Sequence, residues 1–127
     1  MAELSATFEV KNWDEQPFDE ADGEARLTQA HVVKQYTGDI EATSATEWVM
    51  AYADDGTASF VGIERIRGSF AGRDGTLVLQ HVGTFEDGAA VAKLEVLSGT
   101  GGLSGATGDG DFRADPAGSV ELRVDGI

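Results

Sequence analysis

Polar and apolar residues alternate from Glu3 to Lys11, with Leu4, Ala6, Phe8 and Val10 on one side and Ser5, Thr7, Glu9 and Lys11 on the other. A period of two predicts a half-buried strand. Asn12 to Gly23 breaks that period with Pro17, Gly23 and clustered acids, so a loop is expected at 12–24, and Trp13 and Phe18 suggest that it folds back over one mouth of the domain. Further strands are predicted at 25–37, 40–53, 57–70, 76–85 and 89–97, separated by Gly38-Asp39, Asp54-Asp55-Gly56, Gly72 to Gly75 and Glu86-Asp87-Gly88. The glycine-dense stretch 98–110 reads as a turn that plugs one end of the sheet through Leu103. Short closing strands follow at 111–114 and 119–125, around Asp115-Pro116-Ala117-Gly118. No segment carries a helical period.

Eight strands joined by short antiparallel connections predict an all-β fold, either a closed eight-stranded antiparallel barrel or a sandwich. Closure is favoured because it leaves no exposed edge, and eight strands enclose an interior that side chains fill or that holds one small ligand. The length of 127 residues suits one domain, 1–127.

A three-residue Asp54-Asp55-Gly56 loop sets Met50 opposite Phe60 and Trp48 opposite Gly62. A hairpin turning on Gly72-Arg73 sets Glu64 opposite His81. One face then collects Trp48, Met50, Tyr52, Phe60, Gly62, Glu64, Ile66, Leu77, Leu79, His81, Gly83 and Phe85. The other face, with Val49, Val61, Ile63, Gln80 and Val82, is too apolar for plain solvent and points to contact with another subunit, so a homo-oligomer is expected.

The net charge of −14 disfavours nucleic acid and anionic membrane as partners. No run of apolar residues is long enough for a helical span, and no secretory signal pattern opens the chain. Cysteine is absent, which removes disulfides and thiolate metal sites and suits a reducing cytoplasm.

Glu64 and His81 are the candidate catalytic residues, since a carboxylate beside an imidazole in an apolar cavity suits proton transfer, cyclisation or isomerisation. The bland alternative is a cross-strand pair that satisfies two half-buried groups. Trp13, Tyr36, Trp48, Met50, Tyr52, Phe60, Leu79 and Gln80 are the candidate ligand contacts, against core packing as the ordinary role of aromatics. Two histidines on separate strands make a weak metal signal, and no metal site is assigned. The glycines at 99, 101, 102 and 105 miss the dinucleotide spacing, Arg113 spoils a calcium loop at Asp109, Asp111 and Asp115, and no serine sits in a nucleophile elbow. No cofactor is expected.

Several stretches together carry a resemblance over nearly the whole chain: Phe8-Glu9-Val10-Lys11 with Trp13-Asp14-Glu15, Tyr36-Thr37-Gly38-Asp39-Ile40, Phe60-Val61-Gly62-Ile63-Glu64-Arg65, Leu77-Val78-Leu79-Gln80-His81 with Gly83 and Phe85, and Ser98-Gly99-Thr100-Gly101 with Leu103 and Gly105. The chain resembles an uncharacterised bacterial domain-of-unknown-function family (family 3224) whose fold is similar to the allene oxide cyclase barrel. The resemblance implies an eight-stranded antiparallel barrel, oligomeric, with no assigned activity, related to cyclases that fold a reactive apolar substrate in the lumen. The expected function is a barrel binding a small hydrophobic molecule, as a cyclase or isomerase that combines confinement with acid-base help. The alternatives are a non-catalytic carrier and a filled barrel that serves oligomer assembly.

Overall fold

The computed structural model describes residues 2–115 and 117–127. Eight strands follow in order: β1 (Ala2–Asp19), β2 (Arg26–Gly38), β3 (Ile40–Tyr52), β4 (Ala58–Phe70), β5 (Arg73–Glu86), β6 (Ala89–Gly101), β7 (Thr107–Ala114) and β8 (Gly118–Asp125). Each pairs antiparallel with the next, and β8 pairs with β1, so the sheet closes into a barrel. Among the described residues no helix is long and apolar enough to cross a membrane.

Strand alternation sends one set of side chains inward. Leu4, Tyr36, Ile40, Trp48, Phe60, Ile66, Phe70, Leu77, Leu79, Leu94, Phe112 and Leu122 are all buried in one core cluster. Glycines opposite large rings make this packing possible. A Cβ at Gly62 would overlap the Trp48 indole, one at Gly118 the Phe8 ring, and one at Gly83 would stand 2.6 Å from Phe60. The predicted pairs Trp48–Gly62 and Met50–Phe60 are both present.

The strands are staggered as well as closed. A rung leaving β1 at Trp13 passes Val32, Thr46, Glu64, Leu79, Val96, Gly108 and Val124 and re-enters β1 at Ala2. Such stagger is what closing a tilted sheet requires. It carries the far half of β1 past the end of β8, whose first residue, Gly118, meets Phe8.

Four expectations are corrected. First, residues 12–19 are strand, not loop: a bulge between Val10 and Asn12 shifts the register, and β1 continues against β2 as far as Asp19, leaving only 20–25 as a connection. The acids that break the apolar alternation there point into solvent or take part in hydrogen bonds without breaking the ladder. Second, the β4–β5 hairpin turns on Ala71-Gly72, both at positive φ (50° and 86°). Glu64 therefore faces Leu79, and His81 faces Gly62. The register moves by two positions, so the side chains keep their face. Third, β6 continues to Gly101 and β7 begins at Thr107, so the turn shrinks to a tight one around Leu103, which is fully buried. Fourth, Gln80 points outward opposite Ile63. Pro116, expected in the last turn, lies outside the described residues.

Candidate functional site

The interior contains a polar cluster built by β2, β3, β4 and β5. Inward parity on β2 runs Val32, Lys34, Tyr36, and on β3 Ser44, Thr46, Trp48, so a lysine, a phenol, two hydroxyls and an indole face the lumen. Glu64 and His81 arrive from β4 and β5. Glu64 is 1% exposed, and Lys34 and His81 are fully buried.

Glu64 is the hub. Tyr36 donates its hydroxyl hydrogen to Oε2 at 2.6 Å, and His81 Nε2 lies 2.8 Å from Oε1. Lys34 Nζ stands 3.7 Å from Oε2, close enough for an ion pair but beyond a hydrogen bond. Trp48 Nε1 donates to His81 Nδ1 at 3.0 Å. An indole N–H can only donate, so Nδ1 must carry its lone pair, and the imidazole proton belongs to Nε2 and points at Glu64. The chain Trp48–His81–Glu64–Tyr36 thus has a fixed hydrogen direction and a neutral imidazole.

The electrostatics agree with that direction. Burial pushes the Glu64 pKa up, but the Lys34 charge and the His81 contact outweigh it and bring it down to about 2. Burial lowers His81 more than the adjacent carboxylate raises it. Burial also lowers Lys34, against the pull of Glu64. Tyr36 is raised well above its ordinary value, by burial first and by the Glu64 charge second, so it remains a proton donor.

Aromatic rings wall the cluster. Lys34 Nζ lies 4.5 Å from the Phe8 ring centre, 4.8 Å from Phe112 and 5.3 Å from Trp48. Phe112 also packs 5.4 Å from His81, and Phe60 4.9 Å from Trp48. Trp13 meets Trp48 edge-on at 5.3 Å while remaining about half exposed. It therefore stands between solvent and the buried chain, held by strand pairing rather than by a loop.

A second polar group lies toward the same end. Glu15 accepts from Tyr52 Oη at 2.6 Å, Thr28 Oγ1 at 2.7 Å and Trp13 Nε1 at 3.1 Å, and the Arg26 guanidinium covers the Tyr52 ring at 4.9 Å. Burial would raise Glu15, but these donors prevail and lower it, while Tyr52 is pushed up to about 12, by burial first and then by Glu15. This group pins the far half of β1 to β2 and β3.

Of the expected residues, Glu64, His81, Tyr36, Trp48, Phe60 and Leu79 come together in the interior, and Trp13, Met50 and Tyr52 lie toward the Glu15 end. Gln80 does not join them. His31 sits on the outer wall, its Nδ1 3.2 Å from Glu47 Oε1, so the two imidazoles cannot share an ion, and among the described residues no cluster of metal-ligating side chains is found. Lys34, Ser44, Thr46, Phe112 and Glu15 were missed. The signal for Lys34 was present: it occupies an inward position between Val32 and Tyr36, where a charge needs a partner.

A family model described as protein of unknown function (DUF3224) matches residues 4–125. A crystal structure of a protein of unknown function from the same family, from Shewanella oneidensis MR-1, is similar at 30% identity with a TM-score of 0.79, covering 98% of this chain and 96% of that one. Among curated proteins none matches.

Proposed function

Because the chain belongs to the DUF3224 family, whose description assigns no reaction, we propose from its interior chemistry that the barrel takes up a small hydrophobic molecule and acts on it as a cofactor-independent cyclase or isomerase. The observation that carries this reading is the fully buried Glu64, approached by Tyr36, His81 and Lys34 inside an aromatic wall. A buried charge cluster is seldom needed for stability, since apolar residues of similar volume serve as well or better. Glu64 is the proton acceptor, Tyr36 and His81 are the groups that return a proton, and the rings hold the apolar body of the substrate. Confinement contributes by fixing one folded conformation of that body.

The interior side chains are packed against one another, so uptake displaces rings at the Trp13–Trp48 end, where the wall meets solvent. Native mass spectrometry of freshly purified protein tests the reading. The expected result is a retained apolar molecule that Glu64→Gln still binds but no longer converts. An empty barrel, or equal conversion by Glu64→Gln, would overturn it.

A second reading, assembly of copies, has its own support in the outer wall. Val49, Val61, Ile63 and Val82 are each about half exposed, and Val61 pairs directly with both Val49 and Val82. A homo-oligomer through this band is compatible with lumenal chemistry.

A further inference from the structure

We propose that Lys34 is a carbonyl-trapping amine, forming an imine with an apolar aldehyde or ketone in the lumen. The inference rests on the lumenal uptake proposed above and names the substrate class for that site.

Three observations converge. First, Lys34 is fully buried, yet among the described residues Nζ has no hydrogen-bond partner, and the Glu64 carboxylate stands 3.7 Å away. Second, although the Lys34 charge is the strongest influence lowering Glu64, the carboxylate keeps a hydrogen bond at each oxygen, from the Tyr36 hydroxyl and the His81 N–H, when Lys34 gives up its proton. A neutral amine among the Phe8, Phe112 and Trp48 rings is therefore a chemically reasonable state, and burial pushes Lys34 toward it. Third, among the described residues the buried Thr46 hydroxyl has no hydrogen bond, and the buried Ser44 hydroxyl, which lies beside Tyr36 and Glu64, makes none of good geometry. Ser44 is the direct cross-strand partner of Lys34, and Thr46 is the next inward residue on β3 and the partner of Glu64. Buried polar atoms ordinarily find partners, so three orphans on neighbouring rungs call for one guest.

A carbonyl group satisfies all three. The Lys34 nitrogen lone pair forms a bond to the carbonyl carbon, and the C=O π pair moves onto oxygen, which the Ser44 and Thr46 hydroxyls receive. A proton passes from nitrogen to oxygen through the Glu64–Tyr36 pair to give the neutral carbinolamine. The oxygen then takes a second proton, from the Tyr36 hydroxyl, and leaves as water while the nitrogen lone pair forms C=N. The iminium nitrogen loses its remaining proton to Glu64, which returns it to Tyr36 and restores both groups. Amine and carbonyl become imine and water, with no oxidant or reductant involved.

Hexanal or benzaldehyde with sodium cyanoborohydride near pH 7 would fix the imine as a secondary amine, and peptide mapping would locate it. The chain has two other lysines, Lys11 and Lys93, both exposed, which serve as internal references. Labelling of Lys34 at least tenfold faster than of either is expected, as is loss of that label alone in Lys34→Arg. If Lys34→Arg does not fold, Ser44→Ala with Thr46→Ala in the Lys34 background is expected to slow the interior label at least several-fold. Labelling confined to Lys11 and Lys93, or equal at all three, would overturn the proposal and leave buried water as the partner of the orphans. An apolar molecule retained in native spectra of a protein that does not label at Lys34 would sink the imine and keep lumenal uptake.

Discussion

At the scale of single residues, the His81 ring is set by what it touches. With Trp48 donating to Nδ1, a second ring proton would meet an N–H head-on, so acid acts on this site by breaking it. On the acid side, His81 and Glu64 push stability the same way. The unfolded chain takes up protons at His81 below its ordinary value of 6.5 and at Glu64 below 4.5, whereas the folded chain resists until lower pH. The stability these two groups supply is therefore fully present above about 6.5 and falls as pH drops, the Glu64 share being lost between 4.5 and about 2. The shift at Glu64 corresponds to about 3 kcal/mol. Glu64→Gln is expected to cost about 3–5 kcal/mol at neutral pH, because it leaves Lys34 without its counter-charge, and to flatten the acid limb of a urea-midpoint-against-pH profile. An unchanged acid limb would mean that Glu64 is not the titrating group. Gly62 offers a separate check, since its missing Cβ makes room for the Trp48 ring. Gly62→Ala is expected to destabilise by about 1–3 kcal/mol in urea unfolding and to change Trp48 fluorescence.

At the scale of elements, hairpins were legible wherever their turns carried their own chemistry. Asp87-Gly88 takes two positive φ values with residues suited to them, and the turn and the strand ends beside it fall where the alternation places them, although β5 begins earlier and β6 runs further than expected. Ala71 was not legible, because alanine rarely adopts φ of 50° and the neighbouring Gly72-Arg73-Asp74-Gly75 run offers a more conventional turn. Inward facing does not decide between the two turns, since both keep Leu77, Leu79 and His81 inward. Since the displacement is an even number of positions, the Glu64–His81 contact survives as a diagonal one. Ala71→Gly or Ala71→Asn is expected to raise stability by about 1 kcal/mol, measured by urea unfolding, and a loss of stability would argue against the assigned turn. The second half of β1 was illegible for another reason. A bulge changes which parity points inward, so Trp13 and Glu15 take up inward positions that a simple alternation from Leu4 does not assign. Lys34 was missed because the partner that keeps it buried lies on another strand, thirty positions away in the chain.

At the scale of the whole molecule, closure and stagger decide which residues meet. The rung through Trp13 also contains Thr46 and Glu64, although these residues are far apart in sequence, and the same geometry sets Val49, Val61, Ile63 and Val82 together on the outer faces of β3, β4 and β5, bordered by Glu47 and Arg65. That band has a bearing on self-association. A chain of net charge −14 repels its own copies, and contact costs least where the surface carries no acid. Val49, Val61 and Val82 form such a place, and a patch on one wall of a barrel can pair with itself across a two-fold axis. Val61→Glu combined with Val82→Glu adds four like charges across such an interface in a dimer while leaving every inward residue untouched. Light scattering coupled to gel filtration is expected to give an oligomer for the parent chain and a monomer for the double variant. Circular dichroism and the acid profile of Glu64 should be unchanged. A monomeric parent would remove the assembly reading, and a monomeric variant that still retains its lumenal molecule would place binding within the single barrel.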